Sequence, residues 1–492
     1  MTRTPEKTET GERAPGASPG AAVTVDLPRL LARQRDSFLR EGPPDLQGRR
    51  DRLDRLRAAL LHRADDVVSA VTEDYGCRSR HEILLSDVWF PASHMKYSGK
   101  RLRRWMRPER RKVDAAFFPG RAWLEPQPKG VVGIISPWNY PVSLALVPLV
   151  AALAAGNRVL LKPSEITPAS AELLRDLLAS VFPEEEVAVV TGGPEVGHGV
   201  ASLPLDHLLF TGSTGVGREV ARLAAGNLVP VTLELGGKSP AILHPSFPLD
   251  TAVRRIVAGK LMNSGQTCVA PDYLLVEQDS IPRVVEALGQ RFRESVPRPH
   301  EDPDYASIVN DRHADRIRAL IADAAERGAR IVPLCQDASH GTEGPRTLLP
   351  TLVLDVPEGA RILEEEIFGP VLPVLGYRTL DEAIERVRGA PRPLALYYFD
   401  HDRDRVRHVL ERTWSGGAGV NDVVYHAAMN DLSFGGIGES GMGSYHGIEG
   451  FQTFSHRRPV FRRGRFALTD HGGRPYGSAA DRLIRFLLRS VR

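Results

Sequence analysis

The stretch VVGIISPWNYPVSLALVPLVAALAAGNRVLLKPSE (131–165) decides the architecture of the chain. VVGIIS (131–136) is short and apolar, as a buried strand is. LALVPLVAALAAG (144–156) reads as a helix stopped by Gly156, and RVLLK (158–162) as a second strand. Strand, helix and strand in this order form the βαβ unit of a parallel, helix-covered sheet.

The same rhythm continues outward. ASAELLRDLLASVF (169–182) is a helix, VAVVTG (187–192) a strand, and HLLFTG (207–212) a strand leading into a helix from Gly215. VTLELGG (231–237) follows as another strand. A second α/β segment begins near residue 240, with a helix around 251–264 and a strand at YLLVEQ (273–278). Helices at 281–294 and 312–327 come next, then strands at PTLVLD (350–355) and PVLPVLGY (370–377). DEAIERVR (381–388) is helical; LALYYF (394–399) and GAGVND (417–422) are strand-like. Upstream, residues 26–105 carry helical periodicity, and RKVDAAFFPGRAWLEPQPKG (111–130) reads as a hairpin around FPGR. The glycine-dense FGGIGESGMGSYHG (434–447) is expected to be an irregular loop.

A chain of 492 residues, 42% hydrophobic and 25% charged, has the composition of an ordinary globular protein with two or three domains. Its net charge of +3 arises from 64 basic and 61 acidic residues, too even a balance to argue for nucleic acid. The basic runs RLRRWMRPERRK (101–112) and HRRPVFRRGR (456–465) suit a patch, a solvated face or a subunit contact. Three scattered cysteines give neither a disulfide framework nor metal-ligand spacing, which fits a reducing compartment. Residues 1–24 lack an apolar core and read as a disordered tail. With no apolar run long enough to cross a bilayer, the expected location is the cytoplasm.

Five short motifs carry chemistry. GSTGVG (212–217), between a strand and a helix, offers backbone N–H groups and a helix N-terminus to a phosphate; glycine turns that bind nothing look alike. KPSE (162–165) ends a strand where ligand crevices form, and Lys162 with Glu165 suits either ribose hydroxyls or simple solvation on a loop. PWNYP (137–141) holds the Asn139 amide between prolines, ready either to donate to an oxyanion or to cap the next helix. LELGGKSP (233–240) puts Glu234 at a strand end, as a general base or as a surface glutamate. Cys268 lies in MNSGQTCVAPDY (262–273), whose small residues leave its sulfur accessible, as a nucleophile requires. Cys335, in an apolar run, fits an inert core thiol.

Taken together, PWNYP, AAGNRVLLKPSE, FTGSTGVG, LELGGKSP, NSGQTCVAPDY, EEEIFGPVLP and FGGIGESGMGSYHG followed by FQTFSH resemble the aldehyde dehydrogenase superfamily, in family order from about residue 120 to 456. VNDVVYH and SGMGSYHG look like its class 3 and coniferyl aldehyde dehydrogenase branch. The resemblance implies an α/β fold with a Rossmann-like cofactor domain (25–105 and 125–233) and an α/β catalytic domain (234–430). It also implies a small β oligomerisation arm (106–124 and 431–465), hence a homodimer.

By the same resemblance Cys268, Glu234 and Asn139 are catalytic: Cys268 attacks the aldehyde, Asn139 and the Cys268 N–H hold the oxyanion, and Glu234 activates water against the thioester. The implied cofactor is NAD, with NADP possible. Lys162 and Glu165 would bind its adenosine ribose, and Gly212, Ser213, Thr214, Gly215, Val216 and Gly217 would lie near its pyrophosphate. Glu366 and Phe368 would position the nicotinamide ribose and ring, with Trp138, Leu235 and Gly236 nearby; no metal is implied. Tyr140 and His426 are candidate substrate residues, and Trp89, Phe90 and Tyr97 either join an aromatic funnel or serve as packing.

The segment 466–492 departs from the family pattern and carries a basic amphipathic helix, DRLIRFLLRSVR (481–492). Leu483, Ile484, Leu487, Leu488 and Val491 fall on one face and Arg482, Arg485, Arg489 and Arg492 on the other. This suits docking on the dimer, or weaker adsorption to an anionic membrane. A CoA-acylating dehydrogenase or a non-catalytic relative would lack Glu234, or one of the catalytic set, and none is missing.

Overall fold

The computed structural model describes residues 26–114, 117–335, 346–465, 474 and 476–490, so the expected tail at 1–24 and residues 466–473 lie outside the described residues. Val131–Ile135 is a strand buried along its whole length, Ser143–Ala155 a helix, and Arg158–Lys162 the next strand, parallel to the first. The helix is apolar all round, as suits an element covered on every face. Gly156 closes it at φ 95°, a left-handed conformation open to glycine without steric cost. A side chain there would also strike the Arg49 guanidinium, which donates to Ala154 O at 2.9 Å.

Further βα units extend this sheet to six strands. Their order is Gly441–Met442, Val231–Leu235, His207–Gly212, Val131–Ile135, Arg158–Lys162 and Val187–Val189. All neighbours are parallel except Gly441–Met442, which runs antiparallel to Val231–Leu235. Strand order reverses beside Val131–Ile135, so a crevice opens past the C-terminal strand ends there. Leu53, Leu56, Val71, Met95, Leu146 and Leu174 pack one face of this sheet, and Leu30, Leu31, Val200 and Val220 the other.

A seven-stranded sheet follows, in the order Arg330–Pro333, Thr351–Leu354, Val371–Tyr377, Tyr273–Glu277, Pro240–Leu243, Ala395–Phe399 and Gly417–Val420. Only the Arg330–Pro333 pairing is antiparallel. Helices Leu249–Leu261 and Ile281–Ser295 supply one core through Ile256, Leu288 and Phe292. Ile384, Val387 and Val409 close the opposite face.

The third sheet joins Glu109–Arg111, Arg121–Pro128 and Ser455–Arg462. Ser455 stands opposite Pro128 and Arg462 opposite Arg121, so this strand pairs along its whole length. Both basic runs thus meet in one sheet, where Arg457 pairs with Glu109, and Arg458 with Glu125 at 3.1 Å. Such exposed pairs contribute about 0–1 kcal/mol each. The charges of these runs are therefore partly matched within the arm.

Three local expectations need correction. The helix after Gly212 starts at Thr214 rather than Gly215, because Ser213 caps it, its Oγ accepting from Val216 N at 3.5 Å. VAVVTG pairs only over Val187–Val189, where a neighbouring strand is available. The loop 434–447 is not irregular throughout: it holds a helical turn at Gly438–Ser440 and the edge strand Gly441–Met442. Glycines there obscured a pairing that only the adjacent sheet edge supplies.

The C-terminal helix runs over Ser478–Ser490, with Ile484, Phe486 and Leu488 about half exposed; Val491 and Arg492 lie outside the described residues. Among the described residues no helix is long and apolar enough to cross a membrane.

Candidate active site

The cysteine loop begins where helix Leu249–Leu261 ends. Asn263, Ser264 and Gly265 adopt φ of 50°, 50° and 76°. Left-handed backbone at the two non-glycine positions costs on the order of 1 kcal/mol or more each, so the surroundings must hold it. Asn263 Nδ2 donates to Asn139 O at 3.0 Å, and Asn263 N to Glu82 Oε2 at 3.0 Å. Ser264 Oγ donates to Ala306 O, and Gln266 Nε2 to Ser307 O at 3.0 Å. Gly265 lies so close to the Gly369 carbonyl that no side chain fits. Cys268 follows, partly exposed in an otherwise buried loop.

Asn139 leaves the C-terminal end of strand Val131–Ile135 and is buried. It does not cap the following helix, whose N-cap is Val142. Its Nδ2 donates instead to Gln266 O at 3.1 Å, two residues before Cys268. The side-chain amide is thereby fixed against the cysteine loop.

Glu234 sits in strand Val231–Leu235, only 2% exposed, and neither carboxylate oxygen finds a partner among the described residues. Burial alone raises its pKa well above the ordinary carboxylate value. An unpartnered buried carboxylate calls for a donor such as water, as a general base needs. The surface alternative is excluded by its burial. Glu366 is pushed up to about 8 by burial first and Asp272 second, while Gly237 N–H and Arg316 pull it down. Its carboxylate lies against Gly236, where a Cβ would collide with it.

The Cys268 thiol is raised to about 12, first by burial and then by the charges of Glu366 and Glu234; the N–H groups of Cys268 and Val269 lower it. Thiol and both carboxylates therefore occupy one electrostatic neighbourhood.

The loop after Glu366 is locked from outside. Ile367 N donates to Asp272 Oδ1 at 3.0 Å, and Arg316 donates to Glu366 O and Ile367 O at 2.9 and 2.5 Å. Phe368 has φ 53° and meets Trp138 edge to face at 5.3 Å. Lys162 ends its strand in an ion pair with Glu165. Gly212 ends strand His207–Gly212, Ser213 caps the helix that follows, and Thr214, Gly215, Val216 and Gly217 form its first turn. Gly217 packs on Leu235 with no room for a side chain. These groups line the same strand-end crevice, and the helix N-terminus there fits a pyrophosphate.

The aromatic candidates separate. Tyr140 Oη meets Thr267 Oγ1 at 2.6 Å, next to Cys268. His426 packs on Tyr397, whose hydroxyl donates to Val269 O, so it stands one ring away from the cysteine loop. Trp89 is exposed, and Tyr97 bonds Asp431 and lies under Arg101. Phe90 and Phe434, both partly buried, join the buried His94, Tyr445 and His446 in a ring cluster. Tyr445 is raised well above its ordinary value by burial, then by the charges of Glu234 and Cys268, which puts this cluster beside the site. Sequence reasoning gave no role to Tyr445, His94, Arg78 or Asn263, although SYHG contains Tyr445 and NSGQTCVAPDY contains Asn263.

A model of the aldehyde dehydrogenase family matches residues 35–460. The chain belongs to the aldehyde dehydrogenase family. A probable coniferyl aldehyde dehydrogenase of Pseudomonas aeruginosa is 47% identical over 460 residues, covering 93% of this chain and 95% of the relative. The coniferyl aldehyde dehydrogenase of a Pseudomonas species is 44% identical over 473 residues, covering 95% and 98%. The substrate-bound structure of Staphylococcus aureus AldH superposes with a TM-score of 0.88 at 35% identity, over 94% of this chain and 99% of that one. This aldehyde dehydrogenase is an NAD(P)-linked oxidoreductase that converts an aldehyde to the carboxylic acid, and its relatives do not favour the CoA-acylating alternative.

Proposed function

We propose that Cys268 is the nucleophile, Asn139 the oxyanion donor and Glu234 the base of a hydrolytic dehydrogenase for aromatic aldehydes such as coniferaldehyde. The observation that carries this reading is the Asn139 amide fixed on Gln266, beside Cys268, with Glu234 buried and unpartnered in the same neighbourhood. The Cys268 thiolate adds to the aldehyde carbon, and the resulting oxyanion accepts hydrogen bonds from Asn139 Nδ2 and the Cys268 N–H. NAD(P)+, when bound, supplies the hydride acceptor. The thioester left on Cys268 is hydrolysed by a water whose proton Glu234 accepts, releasing the acid and the thiol.

The ring cluster Phe90, His94, Phe434, Tyr445 and His446 favours a flat aromatic substrate, as do the names of the two Pseudomonas relatives. Medium- and long-chain aliphatic aldehydes are the second reading. Lys162 and Glu165 favour NAD, since a carboxylate there opposes a 2′-phosphate. Tyr140 belongs to the substrate side, His426 to its support. The arm sheet pairs two protomers in a cytoplasmic homodimer, with the C-terminal helix docked on it and nucleic acid not a partner.

The test is absorbance at 340 nm with NAD+ or NADP+ and coniferaldehyde, cinnamaldehyde, benzaldehyde and alkanals, each with and without CoA. Turnover on the aromatic members without CoA is expected. Turnover only with CoA overturns the role of Glu234, and a preference for alkanals selects the second reading.

A further inference from the structure

We propose that Arg78 is the positioning residue of the oxyanion hole, holding the Asn139 backbone so that its side-chain amide stays on the cysteine loop. This rests on the roles given above to Asn139 and Cys268.

The Arg78 side chain is wholly buried. Its Cζ lies 4.8 Å from the ring centroids of both Tyr75 and Tyr140, so the guanidinium is clamped between two aromatic faces. Nη1 donates to Asn139 O at 3.0 Å. Tyr75 Oη and Asn263 Nδ2 donate to the same oxygen at 3.1 and 3.0 Å. Three donors converge on one carbonyl that has two lone pairs, and one of them is charged.

The carboxylate paired with Arg78, Asp87, stands back at 3.7 Å and is itself engaged by Val142 N and Ser143 N, at 3.1 and 3.0 Å. Arg78 Nε and Nη2 have no hydrogen-bond partner among the described residues. A buried guanidinium satisfied this sparsely is expensive, and an apolar side chain of similar length would fill the space more cheaply. What the charge gains is one strong bond to Asn139. The clamp also reaches the cysteine loop directly, because Tyr140 Oη bonds Thr267 beside Cys268. Arg78 thus ties both sides of the oxyanion hole to one rigid group.

The test uses the full chain with NAD+ and coniferaldehyde, comparing Arg78→Lys, Tyr75→Phe and Asn139→Ala singly and in pairs. Arg78→Lys is expected to lower kcat about 10–100-fold with KM within about threefold, the range of a misplaced catalytic group. The isotope effect with aldehyde deuterated at C1 should rise as hydride transfer becomes slow. In the Asn139→Ala background Arg78→Lys should cause no further loss, since groups acting through one another are not additive. Tyr75→Phe removes only a hydroxyl; it keeps the test open if the arginine variant fails to fold, and should show a fall of about 3–10-fold with the same non-additivity.

Wild-type kcat in both variants overturns the proposal. So does an equal loss in the presence and absence of Asn139, which would mean that Arg78 acts elsewhere. Full turnover of Asn139→Ala alone removes the assignment of Asn139 itself, and Arg78 with it.

Discussion

Gly441 stands directly opposite Glu234, where the edge strand Gly441–Met442 runs antiparallel to Val231–Leu235. Gly441 has φ 147°, and a Cβ there would collide with the Leu233 carbonyl. Gly441→Ala is therefore expected to destabilise the protein by about 1–3 kcal/mol and to lower kcat by displacing the strand that backs Glu234. Thermal unfolding together with steady-state rates checks this. A variant as stable and as fast as the parent would show that the pairing does not support the site.

Glu234→Gln keeps the shape of the side chain but removes the carboxylate proposed as the base. A first burst of NADH, close to one per active site, should survive, while steady-state turnover falls about 10²–10⁴-fold. Stopped-flow absorbance separates the two phases. Loss of the burst with no change in the later rate would assign Glu234 to the first half of the reaction instead.

With the Cys268 thiol raised to about 12, the protein without cofactor holds little thiolate at neutral pH. Alkylation of Cys268 by iodoacetamide, followed by mass spectrometry, should rise roughly tenfold per pH unit between pH 7 and 10. Glu366 ionises near pH 8, and its new negative charge then opposes the thiolate. Glu366→Gln should consequently speed alkylation above pH 8 and leave it unchanged near pH 6. A plateau reached before pH 9 would contradict this.

The ion pair between Lys162 and Glu165 ends a strand at the crevice. Glu165→Gln removes the charge that opposes a 2′-phosphate, so the NAD-over-NADP ratio of kcat/KM should narrow about tenfold, through NADP gaining rather than NAD failing. Paired titrations of the two cofactors decide it; an unchanged ratio would place discrimination elsewhere.

Much of the site was legible because its chemistry is local. The strand at 131–135, the helix ending at Gly156 and the strand ending at Lys162 follow from apolar period and one terminating glycine, and each sets a motif at a strand end. Cys268 stood out because small, polar neighbours set it apart from Cys335, which the fold does bury. What stayed hidden depends on partners far away in the chain. Arg78 reads as one arginine among many, and its meaning comes from Tyr75, Tyr140 and Asn139 closing around it. The ring cluster of His94 and His446 joins residues some 350 positions apart.

By itself the sequence determined the α/β order of elements and singled out Cys268, Glu234 and Asn139 as the proposed nucleophile, base and amide, because period, turn chemistry and residue type are written locally. Tertiary structure alone decided that Asn139 bonds Gln266 instead of capping its helix, that Glu234 is buried without a partner, and that Gly441 closes the sheet beside it. Burial, pairing and electrostatic proximity are properties of distant segments brought together, and no local pattern encodes the distance between them.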